Sequence, residues 1–321
     1  MSHLSSLPVG LRRALHERRL LKVIAGLTNH DQAAVLRISR AAAAGAADLV
    51  DIACDPQLVA AVRQSCPGLP VCVSSVDPDL FPAAVRAGAA MVEIGNFDAF
   101  YPLGRIFDAP EVLALTRRTR ELLPEVPLSV TVPHVLPLSQ QERLALELAE
   151  AGADLIQTEG GTSARPFSAG VQGLIEKAAP TLAAAHSISR ALQDAERPLP
   201  VLCASGLSAV TVPLALAAGA SGVGVGSAVN RLTDELAMLA VVRGLREATA
   251  AAAAPASRVL SRHLAVGSWL GVRQGNCALW APGRLCRQRS DRPPGAGTDV
   301  QPRAPPASPP GVGRNGCHDY R

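Results

Sequence analysis

Lysine is nearly missing from this chain: two residues, Lys22 and Lys177, stand against 29 arginines. Covalent chemistry through an amine side chain would have to use one of these two. Aromatic residues are equally scarce, nine in 321, and four of them, Phe97, Phe100, Tyr101 and Phe107, fall in one short stretch. No apolar run reaches the roughly 18 residues that read as a membrane span, so no transmembrane helix is expected. The seven cysteines include no Cys-x-x-Cys pair, which excludes the common zinc spacings. Cys54, Cys66, Cys72 and Cys203 read as buried reduced thiols. The basic start, with Arg12, Arg13, His16, Arg18 and Arg19, lacks the apolar core of a signal peptide. Residues 1–20 are expected to form an amphipathic helix that closes one end of the domain.

Acidic residues are few where arginine is dense. From Ala256 onward there are ten arginines, eight prolines and three acids, a local charge of +7. The whole chain carries +4, so residues 1–255 carry −3. The basic balance therefore belongs to a tail, 256–321, whose arginines are interleaved with Pro and Gly without periodicity. That composition reads as disorder and not as a nucleic-acid surface.

Four times a small-residue helix ending runs into a short β-branched strand: Gly45 before Leu49–Ile52, Gly88 before Met91–Ile94, Gly152 before Leu155–Thr158, and Gly219 before Gly222–Gly226. Glycine suits such a joint, because a residue without Cβ takes the left-handed conformation cheaply. Between these joints Pro70, Pro127 and Pro200 each open an apolar run, and proline is tolerated where a strand begins. With Leu21–Gly26 in front, the count is eight strands separated by helix-length segments. Such units pair in parallel, and residues 21–255 have the size of an α/β (β/α)8 TIM barrel. An open doubly wound sheet fits less well, since the first strand-to-helix turn lacks the Gly-x-Gly-x-x-Gly fingerprint.

Side chains alternate along strands, so aligning the four glycine-anchored repeats puts Asp51, Glu93, Gln157 and Gly224 on one face. Their branched neighbours suit the helices, which leaves the acids pointing into the barrel. Two carboxylates buried together need a compensating charge. Lys22 on the first strand supplies it, as a buried ion pair or as part of the catalytic set. One layer further on, Ala53, Gly95, Glu159 and Gly226 describe a hollow with one acid in its wall.

Activity in this architecture sits at the C-terminal ends of the strands, with a phosphate site often formed after strands seven and eight. Ser205-Gly206 and Gly224, Gly226 and Ser227 stand there, and glycines let backbone amides approach an anion. Glu159 and His134, the latter held between Pro133 and Pro137 at a strand end, are the expected proton carriers. Gly160, Gly161 and Arg165 after the sixth strand, and Asn96 and Arg105 in the long 96–109 connection, are expected to meet the ligand. That connection reads as a lid or as a packed cap. The spacing of His, Asp and Glu gives no metal motif, so no tightly bound metal is expected. No cofactor is required, although the same cradle could take the phosphate of flavin mononucleotide. The expected partner is a small phosphorylated ligand, with neither nucleic acid nor membrane.

The runs Lys22-Val23-Ile24-Ala25-Gly26-Leu27, Glu93-Ile94-Gly95-Asn96-Phe97-Asp98, Pro127-Leu128-Ser129-Val130-Thr131-Val132-Pro133-His134 and Gln157-Thr158-Glu159-Gly160-Gly161-Thr162 carry a resemblance. Over about Leu20 to Thr249 the chain resembles the hypothetical chloroplast reading frame twenty-three family of cyanobacteria and algal plastids. The resemblance implies a ribulose-phosphate-binding type of barrel and a photosynthetic lineage, hence a cytoplasmic or stromal location, and it supplies no catalytic residues to carry over. The basic tail is not part of its pattern. On the residues themselves, an isomerase or lyase of a phosphorylated metabolite is expected, and a non-catalytic barrel that senses such a metabolite or binds a partner is the alternative.

Overall fold

The computed structural model describes residues 3–162 and 164–253; the expected disorder of the tail lies outside the described residues. A 3-10 turn and helix α1 (Val9–His16) lead into β1 (Leu20–Gly26), after which helix and strand alternate. The order is α2 (Gln32–Ala44), β2 (Leu49–Ala53), α3 (Pro56–Ser65), β3 (Val71–Ser75), α4 (Phe81–Arg86), β4 (Met91–Ile94), α5 (Ala109–Leu122) and β5 (Leu128–Thr131). Then follow α6 (Leu138–Glu150), β6 (Leu155–Gln157), α7 (Gly170–Asp194), β7 (Val201–Ala204), α8 (Val212–Ala217), β8 (Gly222–Val225), α9 (Ser227–Asn230) and α10 (Glu235–Ala253). Each strand pairs in parallel with the next, and β8 returns to β1, so the sheet is the expected closed eight-stranded barrel.

The punctuation works as the residue types dictate. Pro70, Pro127 and Pro200 each directly precede a strand. Gly88, Gly152 and Gly219 take φ of +105°, +97° and +118°. The first joint departs from this pattern. Gly45 has φ −83°, and the left-handed position falls one residue later on Ala46, at +62°. Gly45 is there for packing, since a Cβ would lie 2.4 Å from Val242 on α10.

The barrel interior is layered along its axis. At the bottom, Leu7, Leu11, Ala14 and Leu15 seat α1 against Leu20, Leu49, Cys72, Met91, Leu155 and Leu202 in one apolar cluster. Each fully buried leucine there contributes about 1.5–3 kcal/mol, so the expected N-terminal plug is a substantial part of the fold. Above it the registry Ser74↔Glu93↔Ser129 and Thr131↔Gln157 turns a polar ring inward. Val23, Val50, Ile52, Val73, Val92, Ile94, Val130 and Ile156 belong to the separate main cluster that includes helix residues such as Val35, Leu58 and Leu144.

Candidate active site

The middle layer contains the inward acids and the lysine. Lys22 is fully buried; its Nζ donates to Glu93 Oε2 at 2.6 Å and lies 3.6 Å from Asp51 Oδ2. Burial alone would pull the ammonium down, but the charges of Glu93 and Asp51 outweigh it and hold its pKa above the ordinary lysine value. Burial, opposed by Lys22 and reinforced by Glu93, pushes the Asp51 carboxyl up to about 6. The remaining lone pairs are satisfied locally. Ser74 Oγ donates to Asp51 at 2.5 Å, Ser129 Oγ to Glu93 at 2.6 Å, and Gln157 Nε2 to Glu93 Oε1 at 2.7 Å. Asn96 Nδ2 reaches down to Asp51 at 3.1 Å and Glu93 at 3.3 Å.

Asn96 also lines the cavity above, and so joins the two levels. It sits at φ +61° directly after Gly95, where a Cβ would lie 2.1 Å from Thr131 Oγ1. Glycine at 95 thus lets β4 end close against β5 and aims the following asparagine inward.

The mouth cavity has a volume of about 230 Å³. Its lining includes Ser205, Gly206, Gly226 and Ser227, together with Asn96, Asp98 and Glu159, and Ile24 and Ala204. Ser205 and Gly206 are both left-handed, at φ +76° and +74°. The backbones at Gly161 and Ser205–Gly206 touch, because a Cβ on Gly161 would meet Ser205 O at 2.3 Å. The loops after β6 and β7 therefore hold Glu159 and the glycine wall at fixed separation.

Glu159 is heavily bonded at the mouth. Its Oε1 accepts from Tyr101 Oη, and from the His134 backbone N–H at 3.1 Å. His134 Nδ1 lies 3.1 Å from the same oxygen, and Oε2 accepts the Asp98 N–H at 3.3 Å. Burial nevertheless raises its pKa. The hydrogen bond to Glu159 raises that of His134, against partial burial. Asp98 Oδ2 accepts from Ser205 Oγ at 2.9 Å, and Asp98 Oδ1 is 3.6 Å from His134 Nδ1.

The long connection after β4 contributes both Asp98 and Tyr101. Phe97 and Phe107 are buried and stacked at 4.5 Å, and Phe100 meets Phe107 edge-on at 5.5 Å. Three of its four aromatics thus form the packed-cap arrangement, while the fourth, Tyr101, lies edge-on to His134 at 5.0 Å.

Several expected ligand contacts fall elsewhere. Gly224 is inside β8 and does not line the cavity; a Cβ there would lie 2.9 Å from Ala204 Cβ and 3.0 Å from Ile24 Cδ1, so its role is packing. Arg105 pairs with Glu111 and stacks 4.6 Å over the Phe107 ring, away from the cavity. Arg165 is exposed and also outside the lining. Gly160 lies under His134, where a Cβ would be 3.1 Å from the His134 Cβ, and neither these two nor Gly161 lines the cavity. Lys22, Asp51 and Glu93 are beneath the cavity and do not form its wall. Sequence reasoning missed Asp98 and Tyr101 as site residues, and Ser74 and Ser129 as partners of the acids. The serines carried a usable signal, since both register with Glu93.

A family model described as a protein of unknown function, DUF561, matches residues 7–254. The chain belongs to that family. Its relatives include the uncharacterized protein ycf23 of Cyanophora paradoxa, 43% identical over 224 residues, which cover 69% of this chain and 90% of the relative. The ycf23 protein of Cyanidium caldarium is 35% identical over 230 residues, 72% of this chain and 90% of its own length. These DUF561 relatives agree with the plastid resemblance. Among solved structures, a 3-hexulose-6-phosphate synthase superposes with TM-score 0.50 at 19% identity, over 71% of this chain and 99% of that one. The tryptophan synthase α subunit of Legionella pneumophila gives 0.53 at 14%, over 78% and 99%. Such likeness is one of fold, and these neighbours are barrel enzymes. No described helix is long and apolar enough to cross a membrane.

Proposed function

We propose that this member of DUF561 is a cytoplasmic or stromal enzyme that acts on a small phosphorylated metabolite by proton-transfer chemistry, as an isomerase or a lyase. One observation carries the reading: a single cavity at the mouth of the barrel is lined both by a serine–glycine backbone and by a buried carboxylate that is bonded to a histidine. Backbone amides at glycines suit a phosphate. The Glu159–His134 pair suits proton transfer, because a carboxylate bonded to Nδ1 fixes the ring and supports its protonated form. Glu159, which lines the cavity, then acts as the proton carrier, and His134, bonded to it through Nδ1 just outside the lining, acts as the positioning group.

The interior lysine supports this class over imine chemistry. An amine nucleophile must be neutral, and Lys22 is held as an ammonium between two carboxylates, below the cavity. The volume favours a small ligand. About 230 Å³ falls under the roughly 300–1,000 Å³ of pockets that enclose drug-sized molecules, which favours a compact metabolite over flavin mononucleotide.

Calorimetric titration of the full chain with inorganic phosphate tests the anion wall. Ser227→Asp places a negative charge on that wall and is expected to weaken phosphate binding at least tenfold; equal binding in the variant overturns the reading. A panel of sugar phosphates followed by NMR tests catalysis. Glu159→Gln is expected to abolish turnover with phosphate binding kept, whereas a barrel that only senses its ligand turns nothing over.

A further inference from the structure

We infer that the mouth of the barrel binds a first-row divalent cation such as Mn²⁺ or Zn²⁺ between Asp98, His134 and Glu159. One ligand atom from each of the three residues lies within 4.8 Å of the other two. Ligands held about 2.0–2.2 Å from an ion, at right angles to one another, stand about 3 Å apart. His134 Nδ1 is 3.1 Å from Glu159 Oε1 and 3.6 Å from Asp98 Oδ1, so an ion enters this triangle with small side-chain movements. It takes the position of the proton shared along the His134–Glu159 contact, and that proton leaves to solvent. An imidazole nitrogen beside two carboxylates selects a first-row cation over Mg²⁺ or Ca²⁺, which prefer all-oxygen shells.

Two further observations bear on the cavity, the first on the cation and the second on the ligand beside it. Glu159 is buried, and its neighbours among the described residues include no lysine or arginine. A phosphate brought into this cavity meets that carboxylate, and an interposed cation turns the repulsion into attraction. In addition, Gln157 Oε1 is buried without a hydrogen-bond partner among the described residues. Its Nε2 is tied to Glu93, and Oε1 faces the space before Gly224 that is bounded by Ile24 and Ala204 of the cavity lining. This acceptor suits a ligand hydroxyl. The donor triangle stands by itself; only the pairing of cation with phosphate rests on the proposed function.

Chelator-treated full-length protein titrated with MnCl2, read by the loss of the free Mn²⁺ electron-spin signal and by calorimetry, tests the site. One ion per chain is expected, with binding at least tenfold weaker in Asp98→Asn and in His134→Ala. Thermal melting and circular dichroism establish that both variants are folded. No uptake, or uptake unchanged in folded variants, overturns the site. Repeating the phosphate titration with and without Mn²⁺ separates the two readings. Phosphate binding at least tenfold tighter with the ion supports both; Mn²⁺ bound at this triangle without any phosphate binding supports the cation and removes the proposed function. Phosphate bound by a protein that takes up no Mn²⁺ removes the cation alone.

Discussion

Two clusters of acids lie one above the other in the barrel, and they differ in what answers their charge. In the lower one, Asp51 and Glu93 share the ammonium of Lys22, and serine, glutamine and asparagine donors complete the shell. In the upper one, Glu159 is met by a phenol, a histidine and backbone amides. A buried ion pair that is internally complete holds a structure in one arrangement, and losing one partner costs far more than the pair contributed. The upper cluster is bonded by groups that can exchange protons, beside a cavity. The lower cluster thus reads as the floor and the upper one as the proposed reactive site.

The comparison can be broken at four points. Lys22→Met leaves two carboxylates buried without their cation, and the expected loss is about 3–5 kcal/mol in urea unfolding; a loss below about 1 kcal/mol would make the lysine ornamental. Asn96→Ala removes the amide that ties both levels together. It is expected to cost about 1–3 kcal/mol in the same assay, together with weaker phosphate binding. The pH dependence comes third. Because the folded Asp51 carboxyl titrates at about 6, above the roughly 3.9 of an unfolded chain, the folded state holds the extra proton between these values. The contribution of Asp51 is then fully present below about pH 4 and lost as pH rises through about 6. Stability of the parent chain relative to Asp51→Asn should therefore fall as pH is raised from 4.5 to 7; a rise would invert the assignment. Asp98→Asn has the smallest expected effect on stability, about 0.5–1.5 kcal/mol for its altered hydrogen bonds, while ligand or cation binding suffers. A large destabilisation there would make the upper cluster as structural as the lower.

Much of this arrangement is legible in the sequence, for definite reasons. Glycines at helix ends and prolines before strands are local signals, and they locate the strands without tertiary information. Period-two alternation then sends Asp51, Glu93 and Gln157 inward, and the scarcity of lysine singles out Lys22. Reading fails where no period exists. Asp98 and Tyr101 lie in two 3-10 turns, whose geometry follows from the packing of Phe97 and Phe107 and not from spacing. The same packing draws Arg105 onto Phe107 and away from the cavity. Gly224 and Gly226 look alike in sequence, yet one residue pair of register decides that the first packs against Ala204 and the second reaches the mouth.

Crystals soaked in phosphate give the most direct test of the central claim, that the mouth is an anion site facing a proton-active pair. Difference density is expected beside Gly206, Gly226 and Ser227, in the cavity that Glu159 also lines. Phosphate density confined to any other surface, with this wall unchanged at saturating concentration, would contradict it.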